Sequence, residues 1–181
     1  MEIEAVCHPG VDRRELQTIR ITARIEDHEP LCTLDALRLA HVGFTPGDMS
    51  PVVTAFDEHS AYSFGLAKVM RARAAVLRKR YFEDEPRACG FIAVTTIRTH
   101  AQAAGNRYAL RLLRYLQDMH AGMTWYACLQ ASPIDLAHGG DEYVTMRRRL
   151  IRHYGSDYDL GFDEVAPRAA PGLMLARWEC E

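Results

Sequence analysis

No run in this 181-residue chain approaches the roughly 18 apolar residues that a membrane-spanning helix needs. The opening MEIEAVCHPG likewise has neither the basic stretch nor the apolar core of a secretory leader, so a cytoplasmic protein is expected. Cysteine is sparse. Cys7, Cys32, Cys89, Cys128 and Cys180 are odd in number, stand at least 25 residues apart and form no C-x-x-C. That spacing fits neither a zinc site nor a disulfide framework, and separate reduced thiols are the expectation. H-E-x-x-H is missing and the eight histidines are scattered, with Asp57 and His59 weak evidence on their own, so no metal is expected. GxxxxGK(S/T) and GxGxxG are both absent, which removes the motif basis for nucleoside-triphosphate or dinucleotide binding. Excess charge is lacking too: a net charge of −2 and a pI near 6.4 give no global reason to bind nucleic acid or an anionic membrane. Lysine is nearly absent, 2 against 20 arginines, a skew that carries no functional conclusion.

What is present is the composition of a soluble globular protein, 48% hydrophobic and 25% charged, with no repeat and no linker long enough to divide it. One domain over 1–181 is expected. Ile19, Ile21, Ala23 and Ile25 alternate with Thr18, Arg20, Thr22 and Arg24, so Leu16 to Glu26 reads as a half-buried strand. Leu34 to Phe44 fits a strand or a short helix, the strand being preferred. A helix is expected from Asp57 or Ser60 to about Phe82. Its Lys68, Arg71, Arg73, Arg78, Lys79 and Arg80 read as a solvated face balanced by Glu83, Asp84 and Glu85, rather than as a polyanion site.

The run CGFIAVTTIRTH, Cys89 to His100, is β-branched and apolar on both faces at its start, as a central strand should be. Ala109, Leu112, Leu113 and Leu116 then recur at helical spacing, with Gly122 as a stop. Thr124 to Gln130 reads as a strand, Tyr143 to His153 as a helix, and Phe162 to Val165 with Leu173 to Trp178 as two last strands. Strand, helical crossover and strand imply an α/β or α+β domain. Between central strand and helix lies Gln102-Ala103-Ala104-Gly105-Asn106-Arg107, a loop of small residues. Such a junction offers unpaired N–H groups and the positive end of a helix dipole to a phosphate, although an ordinary tight turn has the same composition.

Ile97 to Arg107, IRTHAQAAGNR, resembles the V-x-P-x-x-(R/Q)-x-x-G-x-(G/A) signature of the GNAT N-acetyltransferase superfamily, with Gln102 at the Arg/Gln position and Gly105 at the first glycine. Leu112 and Leu113, the strand TWYACLQASP, and RLIRHY (149–154) followed by Gly161-Phe162 resemble the family's later segments in its order. The resemblance covers about residues 89–178, the acyl-CoA-binding half; residues 1–88 form a divergent half, with a long helix where the family usually has a β-hairpin. Arg107 stands in place of the second small residue, Thr99 in place of the proline, and about three extra residues (155–158) follow Tyr154.

The resemblance implies a mixed, splayed β-sheet flanked by helices, with acetyl-CoA as acyl donor and an amine as acceptor. The pantetheine arm would pair with Thr95, Thr96 and Ile97. Gln102, Ala103, Ala104, Gly105, Asn106, Arg107 and Tyr108 would cradle the pyrophosphate. By position Tyr154 would be the acid that protonates the leaving thiolate, with Tyr158 the runner-up; the pattern alone also fits an ordinary core tyrosine. For a base, Glu26, Asp27, Asp57, Glu58 and His100 stay open, because the central strand carries no acid. The alternative is a protein of the same fold that binds acyl-CoA or a protein partner without catalysis. Neither a membrane nor a nucleic acid is an expected partner, and both a monomer and a homodimer fit the sequence.

Overall fold

The alternation of Ile19, Ile21 and Ala23 with polar residues does produce a strand, and the β-branched run after Cys89 another. A computed structural model describes residues 1–9, 16–25, 29–42, 50–57, 65, 68, 89–122, 124–165, 167–168 and 170–179. Among these residues seven strands form one mixed sheet: β1 (Glu2–Pro9), β2 (Leu16–Arg24), β3 (Cys32–Val42), β4 (Cys89–Thr99), β5 (Trp125–Gln130), β6 (Asp163–Glu164) and β7 (Leu173–Trp178), in the order β1-β2-β3-β4-β5-β7-β6. All neighbours are antiparallel except β4 and β5, which run parallel. A parallel pair cannot be closed by a hairpin. The crossover is α2 (Tyr108–Asp118), joined to β4 by a short 3-10 turn over Ala101–Ala103. The other described helices of more than one turn are α1 (Ser50–Asp57) and α3 (Asp141–Tyr154).

The segment Leu34 to Phe44 resolves as a strand through Val42, with 43–44 outside the described residues. The helix expected to Phe82 lies almost wholly outside them, and of its basic residues only Lys68, exposed and helical, is described. β1 and α1 were not expected. β1 is an edge strand in which only Ile3 and Ala5 are half-buried, while Val6 and Cys7 are exposed. Gly122 falls three residues beyond the Met119 C-cap of α2, so the helix stops before it.

Each face of the sheet carries its own core. On one, Leu112, Leu113 and Leu116 of α2 and Tyr154 of α3 pack with Ile19, Ile21, Leu34, Ile92 and Val94. On the other, Val52 and Phe56 of α1 pack with Leu37, Leu39, Phe91, Ala93 and Cys128. β4 is therefore buried on both sides. Full burial of a leucine or phenylalanine contributes about 1.5–3 kcal/mol, so the α2 stripe and the two-sided β4 anchor everything that follows. Among the described residues no helix is long and apolar enough to cross a membrane.

Candidate functional site

β4 pairs with β5 only from Gly90 opposite Trp125 to Val94 opposite Leu129, yet it runs on to Thr99. Over that extension it remains paired with β3 on its other side, Thr96 to Asp35 and Thr99 to Cys32. Asp35 pairs with Thr96 and Ala36 with Val94, so Thr95 is the extra residue of a β-bulge. The bulge falls where the two parallel strands part. Thr95 Oγ1 donates to the Asp35 carbonyl at 3.1 Å. Beyond Val94, and among the described residues, the backbone of β4 facing β5 has no strand partner. Thr95, Thr96 and Ile97 are half-buried there.

The loop after β4 carries its own hydrogen bonds. The amides of Ala103, Ala104 and Asn106 donate to the carbonyls of His100, Ala101 and Ala103 at 2.9, 3.2 and 3.3 Å, and Asn106 Nδ2 donates to the Ala103 carbonyl at 3.4 Å. Three of the amides expected to face a phosphate are thus engaged inside the loop. The amides of Gly105, Arg107 and Tyr108 have no backbone acceptor among the described residues, and Ala109 and Leu110 stand in the first turn of α2, where a helix leaves its N–H groups unpaired. Gly105 has φ +85° and Arg107 φ 57°; Arg107 is the one described non-glycine residue in the left-handed region. The residue ahead of α2 is thus an arginine that bears backbone strain. Gln102 and Asn106 are exposed and Ala103 is buried.

A cavity of about 530 Å³ opens beside this helix start, between Asn106, Arg107 and Arg111 on one side and Ser156 to Asp159 on the other. Arg114 closes its floor by gripping Asp157 and Asp159. The end of α3 is close by. His153 has its pKa lowered by burial and by the Arg107 guanidinium.

Tyr154, one residue further, is 7% exposed. Its hydroxyl is pushed up to about 12 by burial, with Cys32 adding to the shift. No described residue hydrogen-bonds that hydroxyl. Cys32 Sγ lies 3.4 Å from Thr99 Oγ1, and burial raises the thiol, so it stays a thiol at neutral pH and is no nucleophile. Tyr158 is 95% exposed on the far side of the cavity rim.

Of the candidate bases, Asp57 is exposed at the end of α1, and His100 Nε2 lies 3.7 Å from Glu29 Oε2. Glu26, Asp27 and Glu58 lie outside the described residues. Sequence reasoning missed Asp35. It was unremarkable in a strand, and only the register of β3 against β4 puts it beside the bulge. Among the described residues no cluster of histidine, cysteine and acidic side chains could hold a metal ion. No family model, no curated protein and no solved structure matches this chain.

Proposed function

We propose that the protein is an acetyl-CoA-dependent N-acetyltransferase with a GNAT-like fold, acting on a primary amine. The observation that carries this reading is the parting of β4 from β5 after Val94 while β4 continues, bulged at Thr95, to Thr99. Parallel strands that separate leave backbone donors and acceptors unsatisfied, and a ligand arm bearing amides can pair with them as an added strand would. The strand order β1-β2-β3-β4-β5-β7-β6 and the crossover through α2 support the same reading.

The residues present suit such a donor. Thr95, Thr96 and Ile97 would hold the pantetheine arm, and the amides of Gly105, Arg107 and Tyr108, with Arg107 and Arg111, would hold phosphates at the positive end of α2. Bound acetyl-CoA supplies the activated acyl group. The amine nitrogen would bond to the carbonyl carbon, the carbon–sulfur bond would break, Tyr154 Oη–H would give its proton to the departing sulfur, and the proton shed by the nitrogen as it becomes an amide would pass to water, from which the tyrosine oxygen is reprotonated. A tyrosine hydroxyl held near 12 is protonated across the physiological range and is always able to donate.

A second reading, binding of an acyl-CoA without transfer, is favoured by one observation: residues 89–99 contain neither Asp nor Glu. Release of free CoA thiol from acetyl-CoA, followed against a panel of primary amines, separates the two. Amine-dependent thiol release supports transfer; tight acetyl-CoA binding with no release above hydrolysis for any amine supports binding alone.

A further inference from the structure

On the α1 face of the sheet, a second cavity of about 460 Å³ lies over β1, β2 and β3 and reaches β4 at Thr95. Its size falls in the range of small-molecule sites. Arg20 and Asp35 stand opposite each other on β2 and β3 and line it together. They touch through one contact, Arg20 Nε to Asp35 Oδ1 at 2.7 Å. Among the described residues, the outer edge of the guanidinium and Asp35 Oδ2 have no further partner. Val6 and Leu37, on the same face as Arg20 and Asp35, supply the apolar wall.

We infer that this cavity is the acceptor pocket and that it selects an amine that also carries a carboxylate, with an apolar side chain. The inference rests on the acetyl-transfer reading for the word acceptor. The pocket and the parted strands share a residue: Thr95 lines the cavity, donates to the Asp35 carbonyl and is the first residue of β4 beyond its pairing with β5. An acceptor seated here lies over β2 and β3 and reaches β4 at the bulged Thr95.

The charge pattern sets the class of ligand. A lone ammonium drawn to Asp35 meets the Arg20 guanidinium, and a lone carboxylate drawn to Arg20 meets Asp35. A zwitterion satisfies both, with the carboxylate on the fork of Arg20 and the ammonium on Asp35 Oδ2. The fixed cross-strand pairing holds the two charges side by side before any ligand arrives, which lowers the ordering cost of binding.

The test is a titration of the full chain, without any CoA ester, with four probes: L-leucine, L-leucinamide, 3-methylbutylamine and 4-methylpentanoate. Leucine is expected to bind about tenfold or more tightly than the other three, the scale of one hydrogen bond to a charged group. Arg20→Ala should erase the preference of leucine over leucinamide, and Asp35→Asn the preference over 4-methylpentanoate. Circular dichroism on both variants establishes that they are folded, as expected for side chains 64% and 32% exposed. Equal binding of leucine and leucinamide, no binding of leucine to the wild type at 10 mM, or preferences unchanged in folded variants would each overturn the assignment. Acetyl-CoA binding measured in parallel keeps the two readings apart. Its failure with leucine binding intact defeats acetyl transfer and leaves the pocket, and the converse defeats the pocket alone.

Discussion

Arg114 grips Asp157 with two hydrogen bonds of 2.9 Å, Nε to Oδ2 and Nη2 to Oδ1, and so ties the middle of α2 to the loop that follows α3. Asp157 Oδ1 also accepts from the Leu160 amide at 3.4 Å. The donated guanidinium hydrogens hold the Asp157 carboxyl below the usual carboxylate range. A carboxyl with a depressed folded pKa contributes stability that is complete above its unfolded value near 3.9 and fades as pH falls through the lower folded value. Asp157→Asn should therefore cost about 0.5–1.5 kcal/mol at pH 7, at the modest end because Arg114 is half in solvent. Urea midpoints of the two proteins should converge as pH is lowered below about 4. A gap that stays constant to pH 2.5 would contradict this.

Arg107 occupies the left-handed region at φ 57°, ψ 23° and is the N-cap of α2. Arg107→Gly should stabilise the fold by about 1 kcal/mol, because glycine adopts that conformation without Cβ strain, whereas Arg107→Ala should not. The alanine variant isolates the guanidinium, and CoA should bind it about 10- to 100-fold more weakly if a charge-assisted phosphate contact is lost. Tighter binding would mean that the side chain obstructs the loop.

Gly90 leaves the space that the Trp125 ring fills; a Cβ there would run into three ring carbons. The ring is fixed from other sides by His120, edge-on at 4.6 Å, and by the Arg38 guanidinium 4.9 Å from its centre. Gly90→Ala should destabilise the protein by about 1–3 kcal/mol through overpacking at the start of the β4–β5 pairing. A melting temperature within a degree of wild type would show that the ring can move aside.

Tyr154→Phe should fold as well as wild type, since no described residue bonds the hydroxyl, and should lower kcat about 10²–10⁴-fold with little change in acetyl-CoA affinity. Tyr158→Phe should change neither, because the ring is 95% exposed. A crippled Tyr158→Phe beside a full-rate Tyr154→Phe would move the acid by four residues.

What the sequence disclosed follows from the kind of signal each element carries. β2, β4 and α2 bury long periodic sets such as Ile19-Ile21-Ala23 and Leu112-Leu113-Leu116, and periodicity reports burial. β1 lies at a sheet edge with only Ile3 and Ala5 half-buried, so its alternation is faint. α1 is eight residues long, too short for Val52, Val53 and Phe56 to set a clear helical period. Non-local geometry left no trace at all. That Thr95 bulges opposite Asp35, that β5 stops pairing after Leu129, and that Arg20 faces Asp35 are matters of register between segments up to 60 residues apart. The loop after β4 lay between these extremes: Gly105 marked the left-handed turn, while the left-handed conformation of Arg107 ran against its residue type.

The parted strands and the open start of α2 make binding of an acyl-CoA the claim on which the rest depends, and a thermal melt with and without acetyl-CoA tests it most directly. At 100 times the dissociation constant the ligand should add about 2.7 kcal/mol of stability. For a chain of this size that is a rise in Tm of about 5–10 °C, and Gly105→Asp should abolish it by setting a carboxylate where the phosphates would lie. No shift with CoA, acetyl-CoA or longer acyl-CoAs at millimolar concentration would contradict the account.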